Sequence, residues 1–394
     1  MLSNRQLFLQ YVGQTSPSPL GLEIERAEGI YLYDKIGKSF VDFISGISVS
    51  NVGHRHPKVL AAIHAQLDKY MHLMVYGEYV QSPQVMLAQR FASLLPDSLN
   101  AVYFTNSGAE AIETALKLAK RITKRSELIS YRNSYHGSTH GALSVMGSEF
   151  FKTSFRPLLP DTRLLDYNDI DQLQHITAKT AAVVIEPVQA EAGIIVPDND
   201  YLIALRKRCD ETGTLLIMDE IQTGFGRTGK LFGFEHSGVI PDIICFAKGM
   251  GGGMPIGAMV SSRDNLSAFT ENPVLGHITT FGGHPVSCAA ALACIDIIVA
   301  NELPKAAARR QHLFKEYLQH NSIKEVRGIG LMHAVLFDSY EVNKKVIDAL
   351  LEKGIITDWF LFCDYGLRIG PPLTITDDEL IRTLETMRDV MKHI

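Results

Sequence analysis

The chain has few cysteines for its length, and their positions argue against a disulfide framework or a zinc site. The 394 residues include five cysteines, an odd number, and none of them forms a C-x-x-C pair (Cys209, Cys245, Cys288, Cys294 and Cys363). Disulfide scaffolds and structural zinc sites need paired or closely spaced thiols. Isolated thiols are typical of proteins in a reducing compartment, so we expect a cytoplasmic protein with reduced cysteines.

Long apolar runs and an excess of positive charge are also absent. No stretch approaches the roughly 20 apolar residues that a membrane helix needs. The N-terminal MLSNRQLFLQYVGQ lacks the basic segment and apolar run of a secretory signal. The 38 basic and 43 acidic side chains give a net charge of −5, which offers no electrostatic attraction to nucleic acid or to an anionic membrane. We therefore expect neither as a partner.

The composition is that of an ordinary globular protein with a large core. Apolar residues make up 46% of the chain and charged residues 21%, which is close to the average for such proteins. A chain of 394 residues is more consistent with two lobes than with one, because single cores stop growing at about 250–300 residues.

Two short apolar runs at residues 215–218 and 243–246 are the most informative part of the chain. Both are bounded by turn residues, as buried strands of a parallel sheet are. Polar side chains follow each run: Asp219, Glu220 and Gln222 after the first, and Lys248 after the second. Neighbouring parallel strands end at a common edge, where open α/β sheets bind ligands. We therefore expect these side chains to meet in one cleft.

A lysine between a buried strand and the Gly-rich loop 249–255 is in an unusual place for an ammonium group. Desolvation lowers the pKa of such a lysine and leaves a free amine that attacks carbonyl groups. A carboxylate in the same cleft suits a cationic ring nitrogen. These are the two groups that pyridoxal phosphate requires of a protein. Lys248 and Asp219 are therefore the predicted catalytic residues of a pyridoxal-phosphate enzyme.

Three further predicted strands end in candidate site residues. Residues 101–104 precede TNSGAEA, a small-residue turn whose free N–H groups and helix dipole suit a phosphate, although Ser/Gly caps are common without one. Residues 128–131 precede Tyr135, which fits either stacking on a planar ring or a core position in a turn. Residues 180–185 precede Glu186 and Glu191, two acids that rarely serve only solubility at the end of a buried strand.

Several other patterns leave weaker alternatives. His54 and His56 could be metal ligands, but no partner is spaced to complete a site, and a turn that begins a helix fits better. Tyr76 and Tyr79 fit either surface packing or a wall of the substrate pocket.

Residues 224–230 match the spacing of a nucleotide-binding P-loop. However, position 231 is Leu instead of the Ser or Thr that ligates magnesium, and the LFGFEHSGV that follows does not have a helical pattern. The acidic strand also precedes this loop directly. These features argue against a nucleotide hydrolase. No G-x-G-x-x-G motif follows a strand near residues 249–257, which argues against a dinucleotide-dependent dehydrogenase.

From about residue 20 to its end, the chain resembles the class III (fold-type I) aminotransferases, the family of acetylornithine, ornithine and 4-aminobutyrate aminotransferases. Six motifs occur in the family order. They include NSGAEA at 106–111, Tyr135-His136-Gly137, the MDEIQ that contains Asp219, the lysine at 248, TFGGHP at 280–285 and LRIGPPL at 367–373. Such an ordered set is far more specific than any single motif.

The resemblance implies an α/β protein of the pyridoxal-phosphate transferase fold type I. A large cofactor-binding domain with a mainly parallel sheet is expected at residues 50–285, and a small α+β domain at 286–394. Residues 1–49 are expected to pack with the small domain. A homodimer with shared active sites is implied, because Thr280 would reach the phosphate of the neighbouring subunit.

The resemblance also implies roles for individual residues. The implied cofactor contacts are Ser107, Gly108, Ala109, Tyr135, His136, Glu186, Asp219, Gln222, Lys248 and Thr280. Arg368 would bind the carboxylate of a 2-oxo acid acceptor. Glu191 would neutralise the charge of Arg368 when an ω-amine donor enters. No metal is expected.

The implied reaction moves an amino group from an ornithine- or acetylornithine-like donor to 2-oxoglutarate by a ping-pong mechanism. Three positions depart from the family pattern: Ser138 replaces an arginine that binds the donor's α-carboxylate, Ala190 replaces glycine and His284 replaces asparagine. A hydroxyl cannot replace a bidentate guanidinium. Another ω-amino acid or a diamine (4-aminobutyrate, lysine or putrescine) therefore stays open, as does an aminomutase of the same fold. A non-catalytic binding protein is disfavoured, because lysine, acid, glutamine and phosphate turn are all present.

Overall fold

The computed structural model describes residues 2–75 and 77–394. The strands are β1 (Ile24–Glu28), β2 (Tyr31–Asp34), β3 (Ser39–Asp42), β4 (Ala101–Thr105), β5 (Glu127–Tyr131), β6 (Thr162–Leu165), β7 (Thr180–Ile185), β8 (Leu215–Asp219), β9 (Ile243–Phe246), β10 (Gly257–Ser261), β11 (Glu325–Ile329), β12 (Met332–Leu336), β13 (Ile355–Ile356), β14 (Asp358–Phe360) and β15 (Cys363–Ile369).

The helices alternate with these strands through most of the chain. They are α1 (Asn4–Tyr11), α2 (Ser45–Ser48), α3 (Pro57–Leu67), α4 (Ser82–Leu94), α5 (Gly108–Thr123), α6 (His140–Ser144), α7 (Asn199–Thr212), α8 (Arg263–Ser267), α9 (Pro285–Ala300), α10 (Leu303–Tyr317), α11 (Tyr340–Glu352) and α12 (Asp377–Met391).

A seven-stranded sheet in the order β4-β10-β9-β8-β7-β5-β6 forms the centre of the large domain. The strands from β9 to β6 run parallel, and β10 is antiparallel to both β9 and β4. Leu216 and Met218 of β8 belong to one apolar cluster, and Ile217 between them belongs to another. Both faces of the sheet are therefore buried, which explains why β8 is apolar throughout instead of alternating.

The predicted strands around the cleft are confirmed, and β8 and β9 are hydrogen-bonded neighbours. Two strands of this sheet, β6 and β10, were not predicted. β10 is short, contains small residues and directly follows the Gly-rich loop. Its residue pattern could therefore not be distinguished from that of the loop. A methyl group on Gly257 would come within 2.2 Å of the Ser107 carbonyl oxygen. Glycine is therefore needed where β10 passes the start of α5.

The N- and C-terminal parts of the chain form two smaller sheets. The strands β1, β2 and β3 form an N-terminal meander, and β3 pairs in parallel with β13. The second small sheet, β11-β12-β15-β14, is antiparallel. α9 packs against α3, α4 and α10, so it contacts both parts of the chain. The domain boundaries stay predictions.

His54 and His56 have structural partners. His54 Nε2 lies 2.8 Å from Asp42 Oδ2, and His56 precedes α3 and accepts a hydrogen bond from the Lys58 backbone N–H. Across residues 2–75 and 77–394, no three His, Cys, Asp or Glu side chains are grouped to hold a metal ion. In the same part of the chain no single helix is long and apolar enough to span a membrane, although α9 and α10, bent by 63°, pass that test as a pair.

Candidate active site

A cavity of about 700 Å³ lies at the carboxyl edge of the parallel strands. Residues that follow β4, β5, β7, β8 and β9 line it, because all of these strands end at this edge. The predicted site residues in its wall are Ser107, Gly108, Ala109, Tyr135, His136, Glu186, Glu191, Asp219, Gln222 and Lys248. Two predicted residues are not in the wall. Thr280 is exposed on the loop before α9, and Arg368 is buried beside Glu191.

Lys248 enters the cavity wall from a strained backbone position. It follows β9 with a φ of 44°, in the left-handed region that non-glycine residues rarely adopt. Strain of this kind is found where the fold must aim a functional side chain. Burial lowers the pKa of the Lys248 amine, and the opposing charges of Glu191, Asp219 and Glu186 do not fully compensate. The lysine is therefore more easily deprotonated than a surface lysine.

Asp219, the last residue of β8, is held by two hydrogen bonds. Its Oδ2 lies 2.7 Å from Nδ1 of His136, and its Oδ1 accepts from the Ile221 backbone N–H at 3.0 Å. Burial by itself would lower the pKa of His136, but Asp219 and Glu186 together raise it. The hydrogen bond from the imidazole fixes the orientation of the Asp219 carboxylate. The carboxylate is thus presented to the cavity in one position.

Glu186 adds a second, differently tuned carboxyl group. It accepts hydrogen bonds from the backbone N–H groups of Tyr135 and Ala190, at 3.1 and 3.0 Å. Burial, more than any neighbouring charge, raises its pKa to about 7. Near neutral pH this group therefore exists in both its neutral and its ionised form.

The turn before α5 has the geometry of a phosphate cradle. Ser107 is the N-cap of α5, and its Oγ accepts from the Glu110 N–H at 3.2 Å. Its hydroxyl proton is then free to be donated, together with the N–H groups of the first helical turn. A methyl group on Gly108 would come within 2.7 Å of Ile221 Cδ1. The turn therefore fits closely against the residues that follow β8.

Glu191 and Arg368 form a buried bidentate ion pair. The two Nη–Oε distances are both 2.7 Å, and the Leu361 N–H donates to Glu191 at 3.1 Å. Burial by itself would raise the pKa of Glu191, but the charge and hydrogen bonds of Arg368, the charge of Lys248 and the Leu361 N–H together lower it. The family resemblance implies Glu191 as the partner of this arginine, and the two side chains are in contact.

Asp358 is a site residue that sequence reasoning missed. Its Oδ1 lies 2.9 Å from Nε of Arg368, so the guanidinium has a carboxylate on each side. Burial raises the pKa of Asp358 to about 6. Asp358 and Arg368 are directly opposite in the β14–β15 hairpin. The contact follows from the pairing register of that hairpin, and the sequence separation of the two residues does not reveal this register.

The wall near Ser138 lacks a group for a second carboxylate. Ser138 Oγ lies 3.4 Å from the Tyr135 hydroxyl, and no arginine lines the cavity in the described part of the chain. Tyr79, predicted as a wall of the substrate pocket or as surface packing, is 52% exposed and is not in the wall. The same two alternatives were predicted for Tyr76, which lies outside the described residues.

The residues present fit pyridoxal phosphate. Gln222 Oε1 and His136 Nε2 are buried, and neither has a hydrogen-bond partner among residues 2–75 and 77–394. Such atoms need a polar ligand, because an unpaired buried polar group costs about 1–3 kcal/mol. The cavity also combines an amine, an anion-binding turn and mainly apolar walls. Its volume is in the range of sites for small cofactors.

Comparisons with known proteins agree with this geometry. A family model described as aminotransferase class-III matches residues 11–391. Putrescine aminotransferase of Pectobacterium atrosepticum is 41% identical over 383 residues, which cover 92% of this chain and 81% of that protein. Acetylornithine aminotransferase of Methanopyrus kandleri is 39% identical over 368 residues, with 93% of each chain covered. The ornithine aminotransferase structure from Toxoplasma gondii superimposes with a TM-score of 0.92 at 30% identity, covering 98% of this chain and 93% of that one.

Proposed function

The chain belongs to the class-III aminotransferases, which depend on pyridoxal phosphate, and we propose that it transfers the terminal amino group of an ω-amino donor to 2-oxoglutarate. The observation that carries this proposal is the bidentate Glu191–Arg368 pair beside the cavity that contains Lys248. A guanidinium in this geometry can exchange one carboxylate for another, because both present the same two oxygens.

The cofactor, when bound, supplies an electron sink for the electrons of the broken C–H bond. Lys248 would hold the cofactor covalently, and Asp219 would pair with its ring nitrogen. Ser107 and the N–H groups of Gly108 and Ala109 would hold its phosphate, and Gln222 would bond its ring hydroxyl. Support for these roles comes from the lowered pKa of Lys248 and from the unpaired Gln222 oxygen.

Proton transfer at the substrate carbon is the task of the Lys248 amine. Because burial lowers its pKa, a larger fraction is unprotonated near neutral pH than in an ordinary lysine, and the amine can act as a general base. Returning the same proton makes Lys248 the general acid of the second step. His136 holds the Asp219 carboxylate in place through its hydrogen bond. Tyr135 would stack on the cofactor ring and exclude water from one face.

Glu191 and Arg368 separate the two halves of a ping-pong cycle. While the two side chains are paired, the site has no free cation at this position and admits a donor that lacks a carboxylate there. When Glu191 moves away, Arg368 would bind the carboxylate next to the carbonyl of 2-oxoglutarate, the group that an ω-amine donor lacks at its reacting carbon. Asp358 stays beside Arg368 in both arrangements, which limits the penalty of leaving a buried guanidinium without its glutamate.

The wall at Ser138 favours a second candidate for the donor. An ornithine donor needs a cation for its α-carboxylate, and none of the cavity-lining residues of the described chain is an arginine. A diamine has no carboxylate and needs no cation at this position, and 4-aminobutyrate has no α-carboxylate, whereas an N-acylated ornithine keeps its α-carboxylate and needs another residue to bind it. The two related proteins named for putrescine and acetylornithine are consistent with this range of donors. We therefore favour an ω-amine donor that has no free α-carboxylate to place near Ser138.

We also propose that the protein is a homodimer in the cytoplasm. Met71 and Phe281 are 63% and 53% exposed, and the Phe281 ring lies 4.9 Å from that of His72, so these segments form one apolar surface. Burial of such a surface against a second copy is favourable. Thr280, exposed on the same loop, would then reach the partner's phosphate site. The five free cysteines are buried, which suits a reducing compartment.

The visible absorption spectrum of the purified protein with bound cofactor is the direct test. Ornithine, N-acetylornithine, N-succinylornithine, lysine, 4-aminobutyrate and putrescine would be added in turn. We expect bleaching of the cofactor band by at least one ω-amine and its recovery on addition of 2-oxoglutarate. A band that no amine bleaches, or that 2-oxoglutarate does not restore, would contradict the proposal. Sedimentation velocity of the same sample tests the dimer.

A further inference from the structure

Asn106 lies between the two parts of the chain that the proposed dimer would use to hold phosphate. It lines the cavity and immediately precedes Ser107, the N-cap of α5 in the phosphate turn. Its side-chain Nδ2 donates to Thr279 Oγ1 at 3.0 Å. Thr279 directly precedes Thr280, the residue that would reach the partner's phosphate site. One amide thus joins the phosphate turn of its own subunit to the segment that would serve the neighbouring subunit.

Glu110, in the first turn of α5, fixes the side chain of Asn106. Its Oε2 accepts from both the backbone N–H and the side-chain Nδ2 of Asn106, each at 2.8 Å. The Glu110 backbone N–H in turn donates to Ser107 Oγ at 3.2 Å, which closes the turn. An asparagine amide has two protons to donate. One serves Glu110 and the other serves Thr279, so the amide has a single orientation.

The Thr279 hydroxyl holds the other end of this link. Besides the Asn106 amide, it accepts from the backbone N–H of Gly282 at 3.3 Å, which closes the turn of residues 279–282. A methyl group on Gly282 would come within 2.4 Å of the Phe104 carbonyl oxygen, so this turn lies directly against β4. The bond between Asn106 and Thr279 therefore determines where the turn lies relative to the phosphate turn.

His277 anchors the same segment to α5 two residues earlier. Its Nδ1 lies 2.8 Å from Lys117 Nζ, and its Nε2 lies 2.8 Å from Thr114 Oγ1. Because an ammonium group only donates, Nδ1 accepts and Nε2 carries the proton. Burial, together with the Lys117 charge, lowers the pKa of His277 to about 4, which keeps the ring neutral near pH 7. The segment thus has a fixed base, and Asn106 adds a link next to Thr280.

We propose that Asn106 is a positioning residue for the cofactor site of the partner subunit, because it holds Thr280 where this residue can donate to the partner's phosphate. This inference rests on the proposed function, in which the protein is a homodimer and Thr280 is shared in this way. Both amide protons of Asn106 are engaged within its own subunit. Its effect on phosphate binding therefore passes through Thr279 and is exerted in the neighbouring site.

The first test compares binding of pyridoxal phosphate and of pyridoxal, which lacks the phosphate, to the apoenzyme. Asn106→Ala and Thr279→Val each remove one side of the bond, whereas Thr279→Ser keeps the hydroxyl. Thr270→Val, at an exposed position between α8 and α9, is the control. In absorbance titrations the first two variants should bind pyridoxal phosphate at least about fivefold more weakly, as expected for one lost hydrogen bond. The other two variants, and pyridoxal binding by all four, should stay within about twofold of the wild type.

Mixed dimers then decide in which of the two sites Asn106 acts. One subunit carries Lys248→Ala and cannot bond the cofactor, so borohydride reduction followed by mass spectrometry reports only the site of the other subunit. If Asn106→Ala is in the same subunit as Lys248→Ala, the reporting site depends on a Thr280 that has lost its support. Its affinity for pyridoxal phosphate should fall at least about fivefold. If the two substitutions are in different subunits, the affinity should match that of a mixed dimer with Lys248→Ala alone.

Unchanged affinity in the first arrangement, or weakened affinity in the second, would overturn the inference, because either result places the effect of Asn106 elsewhere than in the partner's site. If Asn106→Ala does not fold, Thr279→Val takes its place in the mixed dimers and is expected to give the same pattern. Failure of the proposed function would look different. Sedimentation velocity would show a monomer, or Thr280→Ala would leave the affinity for pyridoxal phosphate unchanged.

Discussion

Replacing Glu191 by glutamine tests the exchange of carboxylates at Arg368. The substitution keeps the size of the side chain and removes its charge. Both partners are nearly buried, with 6% and 8% of their side chains exposed, and they share two hydrogen bonds of 2.7 Å. Asp358 remains 2.9 Å from the guanidinium, so Arg368 keeps one counter-charge and the variant should fold.

The size of the effect follows from these contacts. A hydrogen bond between charged groups contributes about 1.5–3 kcal/mol. Glutamine retains one acceptor oxygen, so about 2 kcal/mol of pairing is lost. A substrate carboxylate that competes for Arg368 gains this amount, because it displaces an amide instead of a carboxylate. Since 1.4 kcal/mol corresponds to a factor of ten, we expect about a 30-fold change.

The assay measures each half-reaction separately through the visible band of the bound cofactor. For Glu191→Gln, the ratio of kcat/KM for L-glutamate to kcat/KM for the ω-amine donor should rise about 30-fold. Asp364→Asn, which changes an exposed acid at the same strand, is the matched control and should leave the ratio unchanged. A ratio within about threefold of the wild type, or one that falls, would refute the exchange of carboxylates at Arg368.

Three other substitutions probe different parts of the site. Lys248→Ala should abolish turnover while leaving the protein folded, and normal turnover by this variant would disprove the assignment of Lys248. Gly137→Ala should weaken cofactor binding at least about tenfold, because its φ of 121° is unfavourable for alanine and the new methyl would lie 2.6 Å from Ala109 Cβ in the phosphate turn; titration of the apoenzyme by absorbance measures this. Because burial raises the pKa of Glu186 from 4.5 to about 7, the folded state binds more protons than the unfolded state between these values. Stability should therefore fall by roughly 1–3 kcal/mol as the pH rises through this range, and the Tm of Glu186→Gln apoenzyme should depend less on pH, whereas an unchanged profile would contradict the assignment.

Local patterns were enough to identify five of the seven strands of the large sheet, and the family resemblance added most residues of the cavity wall. β7, β8 and β9 are continuous apolar runs with clear turns, so their ends could be located from sequence. Parallel strands end at a common edge, which is why Asp219 and Lys248 could be expected in one cleft. The structure has both in the same wall. The replacement of the family's arginine by Ser138 could also be recognised from the sequence, because it depends on the type of residue and not on its surroundings.

Contacts that depend on strand register and burial were beyond the sequence. Asp358 meets Arg368 only because a hairpin register brings them opposite each other, and its effect on the site depends on burial.

The sequence by itself determined the cofactor chemistry, the central strands and the identity of the residues at their ends, because these follow from short-range patterns of apolar, turn and polar residues. Tertiary structure alone decided which charges compensate one another and which carboxyl groups have raised or lowered pKa values. These properties depend on distance and desolvation, and both arise only when separate segments of the chain pack together.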